Sequence, residues 1–168
     1  MRQIANFCDR LNALIGAAAQ WLSLIMVLVQ FLVVILRYVF GIGSIQLQES
    51  VIYMHALLFL CSAASSWQQD AHVRVDIFYA RMSPSRKSLI NMAGAVLFVL
   101  PLCALIIYVS FDYVAMSWAV REGSRETSGI QAIFLLKTLI LVFAVQVALQ
   151  ATALIIRRGT MEADHGTP

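Results

Sequence analysis

The stretch Gln68-Gln69-Asp70-Ala71-His72-Val73-Arg74-Val75-Asp76 decides how the chain is read; it continues through Ile77-Phe78-Tyr79-Ala80-Arg81 to Arg86-Lys87. It is the densest block of charge in an otherwise apolar sequence, and it lies near the middle. On either side the chain is apolar for the length of a bilayer crossing. If such a block stays in water on one side of a membrane, it divides the chain into two helical hairpins and sets the direction of both. Val73, Val75 and Ile77 alternate with the period of a strand. The alternation is too short and isolated to pair, so the block reads as a surface turn or a short interfacial helix.

The chain has 168 residues, 61% hydrophobic and 12% charged, with a mean hydropathy of +0.81. Soluble domains carry about 25% charged residues. A small soluble fold cannot hide so much apolar side chain, so lipid is the solvent for most of this one. The net charge of +3 does not point to nucleic acid, because the basic residues sit at the ends of apolar runs. Anionic membrane lipids explain them more simply. Cys8, Cys61 and Cys103 are far apart and form no CxxC, which argues against a disulfide framework or a zinc site. They read as buried, inert thiols. Ala17-Ala18-Ala19 has the composition of a cleavage site. It precedes the longest apolar run, whereas a signal peptide ends in such residues, so the segment reads as retained.

The sequence predicts an all-α integral membrane fold with four transmembrane helices and one membrane domain over residues 1–168. The expected spans are approximately 14–37, 48–68, 88–112 and 130–156, with a charged connector at 69–87. A crossing needs about 20 apolar residues, and the uncharged run Leu11 to Leu36 meets that length. Ahead of it, Ile4, Phe7 and Leu11 recur at helical spacing among Arg2, Asp9 and Arg10, the pattern of a short amphipathic N-terminal helix. Arg37-Tyr38-Val39-Phe40 anchors the end of the first span, and Gly41-Ile42-Gly43-Ser44 breaks it. In the second span Ser62-Ala63-Ala64-Ser65-Ser66 allows close helix approach. Ser83-Pro84-Ser85 stops and restarts the chain. Pro101, inside the third span, removes a helical hydrogen bond and predicts a kink. Eight basic residues (Arg2, Arg10, Arg74, Arg81, Arg86, Lys87, Arg157, Arg158) fall on one side of the membrane. Four (Arg37, Arg121, Arg125, Lys137) fall on the other. The excess assigns the first side, both termini and the connector to the cytoplasm.

Ionisable groups in or beside a span are functional candidates, because each is expensive to leave unpaired in lipid. Arg37 and Glu49 face each other across the first short loop. They read as a structural pair or anchor, or as a contact to a partner protein. Asp112 and Lys137 lie at similar depth, so they read as a structural pair or a proton or ion relay. His55 is the one histidine within a span. A membrane haem site usually needs two, so His55 reads as a hydrogen-bonding group toward a neighbouring helix. Gln146 and Gln150 are four apart and share a helix face, which predicts helix–helix contact. In the connector, Asp70, His72, Arg74 and Asp76 form either a solvated loop with local salt bridges or a docking or membrane-surface element. No nucleophile, phosphate loop or metal spacing accompanies them. No catalytic, cofactor or metal site is expected.

Arg37-Tyr38-Val39-Phe40 closing the first span, Glu49 opening the second, and His72-Val73-Arg74-Val75-Asp76 before a basic, Pro-containing segment to Lys87 have a familiar order. Together they resemble the small permease subunit of tripartite ATP-independent periplasmic (TRAP) transporters, over about residues 10–157. Tyr53-Met54-His55-Ala56 and Ile133-Phe134-Leu135-Leu136-Lys137 further resemble the mannitol or chloroaromatic branch, with relatives linked to oxo- and hydroxy-acids. One departure is Gly129-Ile130-Gln131, where the family pattern has a proline third. The resemblance implies a secondary, sodium-coupled importer of an organic acid in a bacterial inner membrane. Its partners would be a large permease subunit, which carries the substrate and sodium sites and moves as an elevator, and a periplasmic solute-binding protein. The small subunit would be a scaffold. The competing expectations are a stand-alone small four-span transporter or channel, or the membrane anchor of a redox enzyme.

Overall fold

The structure, a computed structural model, describes residues 2–69, 79 and 81–165. The described residues are helical with no strand. Helix α1 spans Arg2–Tyr38 and α2 spans Ile45–Gln68. The third span is composite: α3 at Pro84–Gly94, a π-helical segment at Ala95–Val99, and α4 at Leu100–Ala119. Helix α5 spans Ile133–His165. Among the described residues, four stretches are long and apolar enough to cross a membrane: Asn6–Tyr38, Ile45–Gln68, Pro84–Ala119 and Ile133–Arg157.

Local chemistry accounts for the boundaries. The amphipathic start expected ahead of the first span forms the first turns of α1 and runs into the span unbroken. The helix stops where Gly41 takes φ 68, a left-handed backbone that glycine adopts without steric cost. There the Ile42 N–H returns to the Leu36 carbonyl at 2.9 Å. Helix α2 begins earlier than the expected residue 48 because Ser44 caps it, its hydroxyl accepting from the Leu47 N–H at 3.4 Å. Pro84 starts α3 at a position where a missing N–H costs nothing.

Pro101 acts through its neighbours. Its ring crowds the carbonyl four residues back, at Leu97, and it has no N–H to donate. The π segment lies over that turn, and the Leu100 N–H bonds five residues back to Ala95. The strain expected as a kink is thus taken up as a wider turn. Helix α4 then ends on Arg121, whose φ of 46 is left-handed. Its N–H reaches Trp118 at 3.1 Å and the Glu122 N–H reaches Ser117 at 3.0 Å. That is a Schellman closure with arginine where glycine is usual.

Helix α1 packs along α2. Helix α5 is the hub, packing against α1, α2 and each part of the third span. The buried set is small: Ala19, Ala64, Ala144, Ala151 and Ala153 are at most 3% exposed. Large apolar side chains such as Phe31, Leu97, Phe98 and Tyr108 face outward. This inverts a soluble core and suits helices that associate by close contact of small residues in lipid. Gly16 shows the tolerance: a Cβ there would collide with both Oγ and Cβ of Ser65 on α2.

Candidate functional site

The bundle has two ends. One, the termini end, carries the start of α1, the end of α2, the start of α3 and the C-terminal part of α5; the other, the loop end, carries the loops 39–44 and 120–132. A polar contact joins the two hairpins at each end, and in both cases α5 or the loop before it is the partner.

At the termini end, Asp9 and Asn12 lie three apart on α1 and so share a face. Both are buried, Asn12 completely. The Asn12 amide Nδ2 donates to Gln150 Oε1 at 2.9 Å. Gln150 Nε2 donates to Asp9 Oδ1 at 3.2 Å. The second Asp9 oxygen is ion-paired with Arg157, about two turns beyond Gln150 on α5. The first span is thereby tied to the last through a carboxylate that is only 5% exposed. One turn back from Gln150, Gln146 is also buried, and neither its Oε1 nor its Nε2 has a hydrogen-bond partner.

At the loop end, Glu49 in the first turns of α2 accepts from two groups of the 120–132 loop. One is the Ser124 hydroxyl. The other is the Ile130 N–H, at 2.5 Å. Gly129 is buried between them, where any Cβ would strike Ser124 and Glu49. A second link closes the α4–α5 hairpin. Lys137 pairs with Glu122 and lies over the Tyr113 ring, 3.9 Å from its centre. The Trp118 indole N–H donates to Thr138 Oγ1 at 2.8 Å, and its ring meets Phe134 edge-on at 4.7 Å. The hydrogen bond from Lys137, helped by the charges of Lys137 and Arg125, holds the Glu122 carboxyl below its ordinary range.

These contacts differ from the pairings expected above. Glu49 binds loop groups and forms no ion pair with Arg37, which is exposed at the end of α1. Lys137 pairs with Glu122 instead of Asp112, because Tyr113 is the residue of that turn directed at it. His55 is exposed and stacks on Phe59 of its own helix, ring centres 6.4 Å apart. Gln150 contacts α1; Gln146 is buried beside it without a partner. Asp70, His72, Arg74 and Asp76 lie outside the described residues. The connector's described Tyr79 accepts from Asn91 Nδ2 at 2.9 Å, and Lys87 lies 5.3 Å from its ring centre. Sequence reasoning missed Asp9, Asn12, Ser124 and Arg157. The available signal was two polar pairs at one-face spacing, 9/12 near the start of α1 and 146/150 within the apolar part of α5.

The fourth helix begins at Ile133, not 130. Its first available N–H, at Ile130, is already taken by Glu49, and the Ala132 N–H turns back to Ile130. Among the described residues no three of His, Cys, Asp and Glu come together, and the three cysteines are free.

Among the described residues, the contacts join helix to helix and loop to helix. Residues 7–160 match the model of the family described as tripartite ATP-independent periplasmic transporters, DctQ component. The match covers most of the chain, and the chain belongs to this family. No curated protein and no solved structure matches it.

Proposed function

We propose that this component is the static brace of a sodium-coupled TRAP importer of an organic acid, lying in the inner membrane with both termini and the connector in the cytoplasm. Its work is to hold still while a large permease subunit carries substrate in an elevator motion. The termini end is then the inner face of the membrane and the loop end the outer face, where a periplasmic solute-binding protein arrives.

The observation that carries this reading is the double tie between hairpins. Asp9, Asn12, Gln150 and Arg157 join them near the inner face. Glu49, Ser124 and Ile130 join them near the outer face. Hydrogen bonds to charged groups contribute about 1.5–3 kcal/mol each, so two ties at opposite ends resist both splaying and sliding. A subunit that alternated its own access would have to break one end at a time. The ties also occupy Asp9, Asn12, Glu49 and Gln150, polar side chains that a stand-alone transporter would need to leave available to a solute.

The test is to lock the first span to the last and measure uptake. Asn12→Cys and Gln150→Cys, joined by a short bifunctional reagent in the reconstituted three-component system, fix α1 to α5. A brace predicts that sodium-driven uptake continues at close to the unlinked rate. Loss of uptake on linking, restored when the link is cleaved, would show that this subunit moves and would end the proposal.

A further inference from the structure

The acidic side chains on the spans are Asp9, Glu49 and Asp112, and two of the three are satisfied within the chain. Asp9 meets Arg157 and Gln150. Glu49 meets Ser124 and Ile130. Asp112 is exposed, and no hydrogen bond or ion pair joins it to any described residue. It is level with the Lys137 turn, since the next residue, Tyr113, lies under the Lys137 ammonium. Asp112 nevertheless points elsewhere. It is nine residues from buried Cys103, about 180° round the helix at 3.6 residues per turn. The third span rests on α5 through Cys103, Val114 and Ser117, so Asp112 projects from the opposite side.

That side is an apolar stripe along α4 with a carboxylate at one end. Ala104, Ile107, Tyr108, Phe111 and Asp112 line an open groove of about 510 Å³. The groove has a small residue, Ala104, at one end, the Tyr108 phenol midway and the Asp112 carboxylate at the other end. Lipid chains offer a carboxylate nothing and an anionic head group would repel it; the ammonium of a zwitterionic head group can pair with it but leaves the apolar stripe below to the chains. A helix with a basic side chain at the outer membrane boundary would satisfy Asp112 and fill the apolar length below it.

We infer that this groove on the third span is where the large permease subunit docks, with a lysine or arginine of that subunit pairing with Asp112. The inference rests on the brace reading above and adds to it the face used and the chemistry of the contact. It leaves the exposed face of α1, with Phe31 and Leu28 outward, as the lipid side of the complex.

The experiment uses the full chain co-expressed with the large subunit of its own system and purified in lipid nanodiscs. Cys8, Cys61 and Cys103 are replaced by alanine, and single cysteines at Ala104→Cys and Phe111→Cys carry a photo-activated cross-linker. Phe31→Cys is the control. The expected result is adducts with the large subunit from positions 104 and 111 and none from 31. Asp112→Lys, checked for folding by its melting curve, should lower the co-purified large subunit about tenfold, and Asp112→Asn should lower it less. If Asp112→Lys fails to fold, the cross-links decide the matter with Asp112 intact. Adducts only from position 31, only with a second copy of this chain, or only with lipid would overturn the inference. The brace reading survives those results so long as the large subunit still co-purifies. Failure of the wild type to recover any large subunit would remove that reading, and this inference with it.

Discussion

Among the described residues, Glu49 is the side chain of the first hairpin that hydrogen-bonds the 120–132 loop, and replacing it with alanine removes that tie. Two acceptor interactions vanish together, from the Ser124 hydroxyl and the Ile130 N–H. The hydroxyl can turn to water. The amide of Ile130, half-buried beside buried Gly129, has less access to it. A hydrogen bond to a charged group contributes about 1.5–3 kcal/mol, and exposure at this end trims the pair, so about 2 kcal/mol is the expected loss for local closure. That corresponds to a roughly 30-fold larger open population, since 1.4 kcal/mol is a factor of ten. Arg121 and Arg125 are exposed in the same segment, so trypsin reads the opening directly. When opening is fast, cleavage tracks the open population. Glu49→Ala should therefore be cut at this loop about 30 times faster than wild type, and Glu49→Gln, which keeps an acceptor, only a few times faster. Equal rates in a correctly folded Glu49→Ala protein would refute the claim that this carboxylate holds the loop.

Three further outcomes follow from the same geometry. Gln146→Leu should raise stability by about 1–3 kcal/mol, because both amide atoms are buried without partners; a lower melting temperature in detergent would mean that Gln146 has a partner. Gly16→Ala should destabilise by about 1–3 kcal/mol, since the methyl group overlaps Ser65, and the double variant with Ser65→Gly should recover most of the loss. Glu122 should titrate below its ordinary value of 4.5, followed by NMR of labelled glutamate. Its folded value is depressed, so its support of the α4–α5 hairpin is present above that ordinary value and fades as pH falls through the folded one. Lys137→Met should return the titration toward 4.5, and an unshifted Glu122 in the wild type would contradict the pairing.

The spans were legible because uncharged length is a one-dimensional property. A run such as Leu11 to Leu36 reads the same whatever it packs against. Gln146 and Gln150 were placed on one face by helical spacing alone, and Gln150 does meet α1. The ion pairs were less legible, for a reason of geometry. Arg37 and Glu49 are close along the chain and Asp112 and Lys137 close in depth, but a pair needs a shared azimuth too. One residue of helix turns a side chain by about 100°, enough to give Lys137 to Tyr113 and leave Asp112 outside. The partners of Glu49 were hidden in another way: one is a backbone N–H, which every residue but proline carries and no sequence pattern marks. The departure at Gly129-Ile130-Gln131 bears on the same spot. With Ile130 bound to Glu49, the helix starts three residues later than its apolar content implies.

The account stands on the two hairpins keeping one arrangement while transport proceeds. Spin labels at Tyr38 and Val120, both exposed at the loop end and on different hairpins, report their separation by pulsed electron resonance in the reconstituted three-component system. Without solute, with sodium, and with sodium and substrate, the distance distributions should superimpose. A shifted or second peak that appears only under conditions of turnover would contradict the brace.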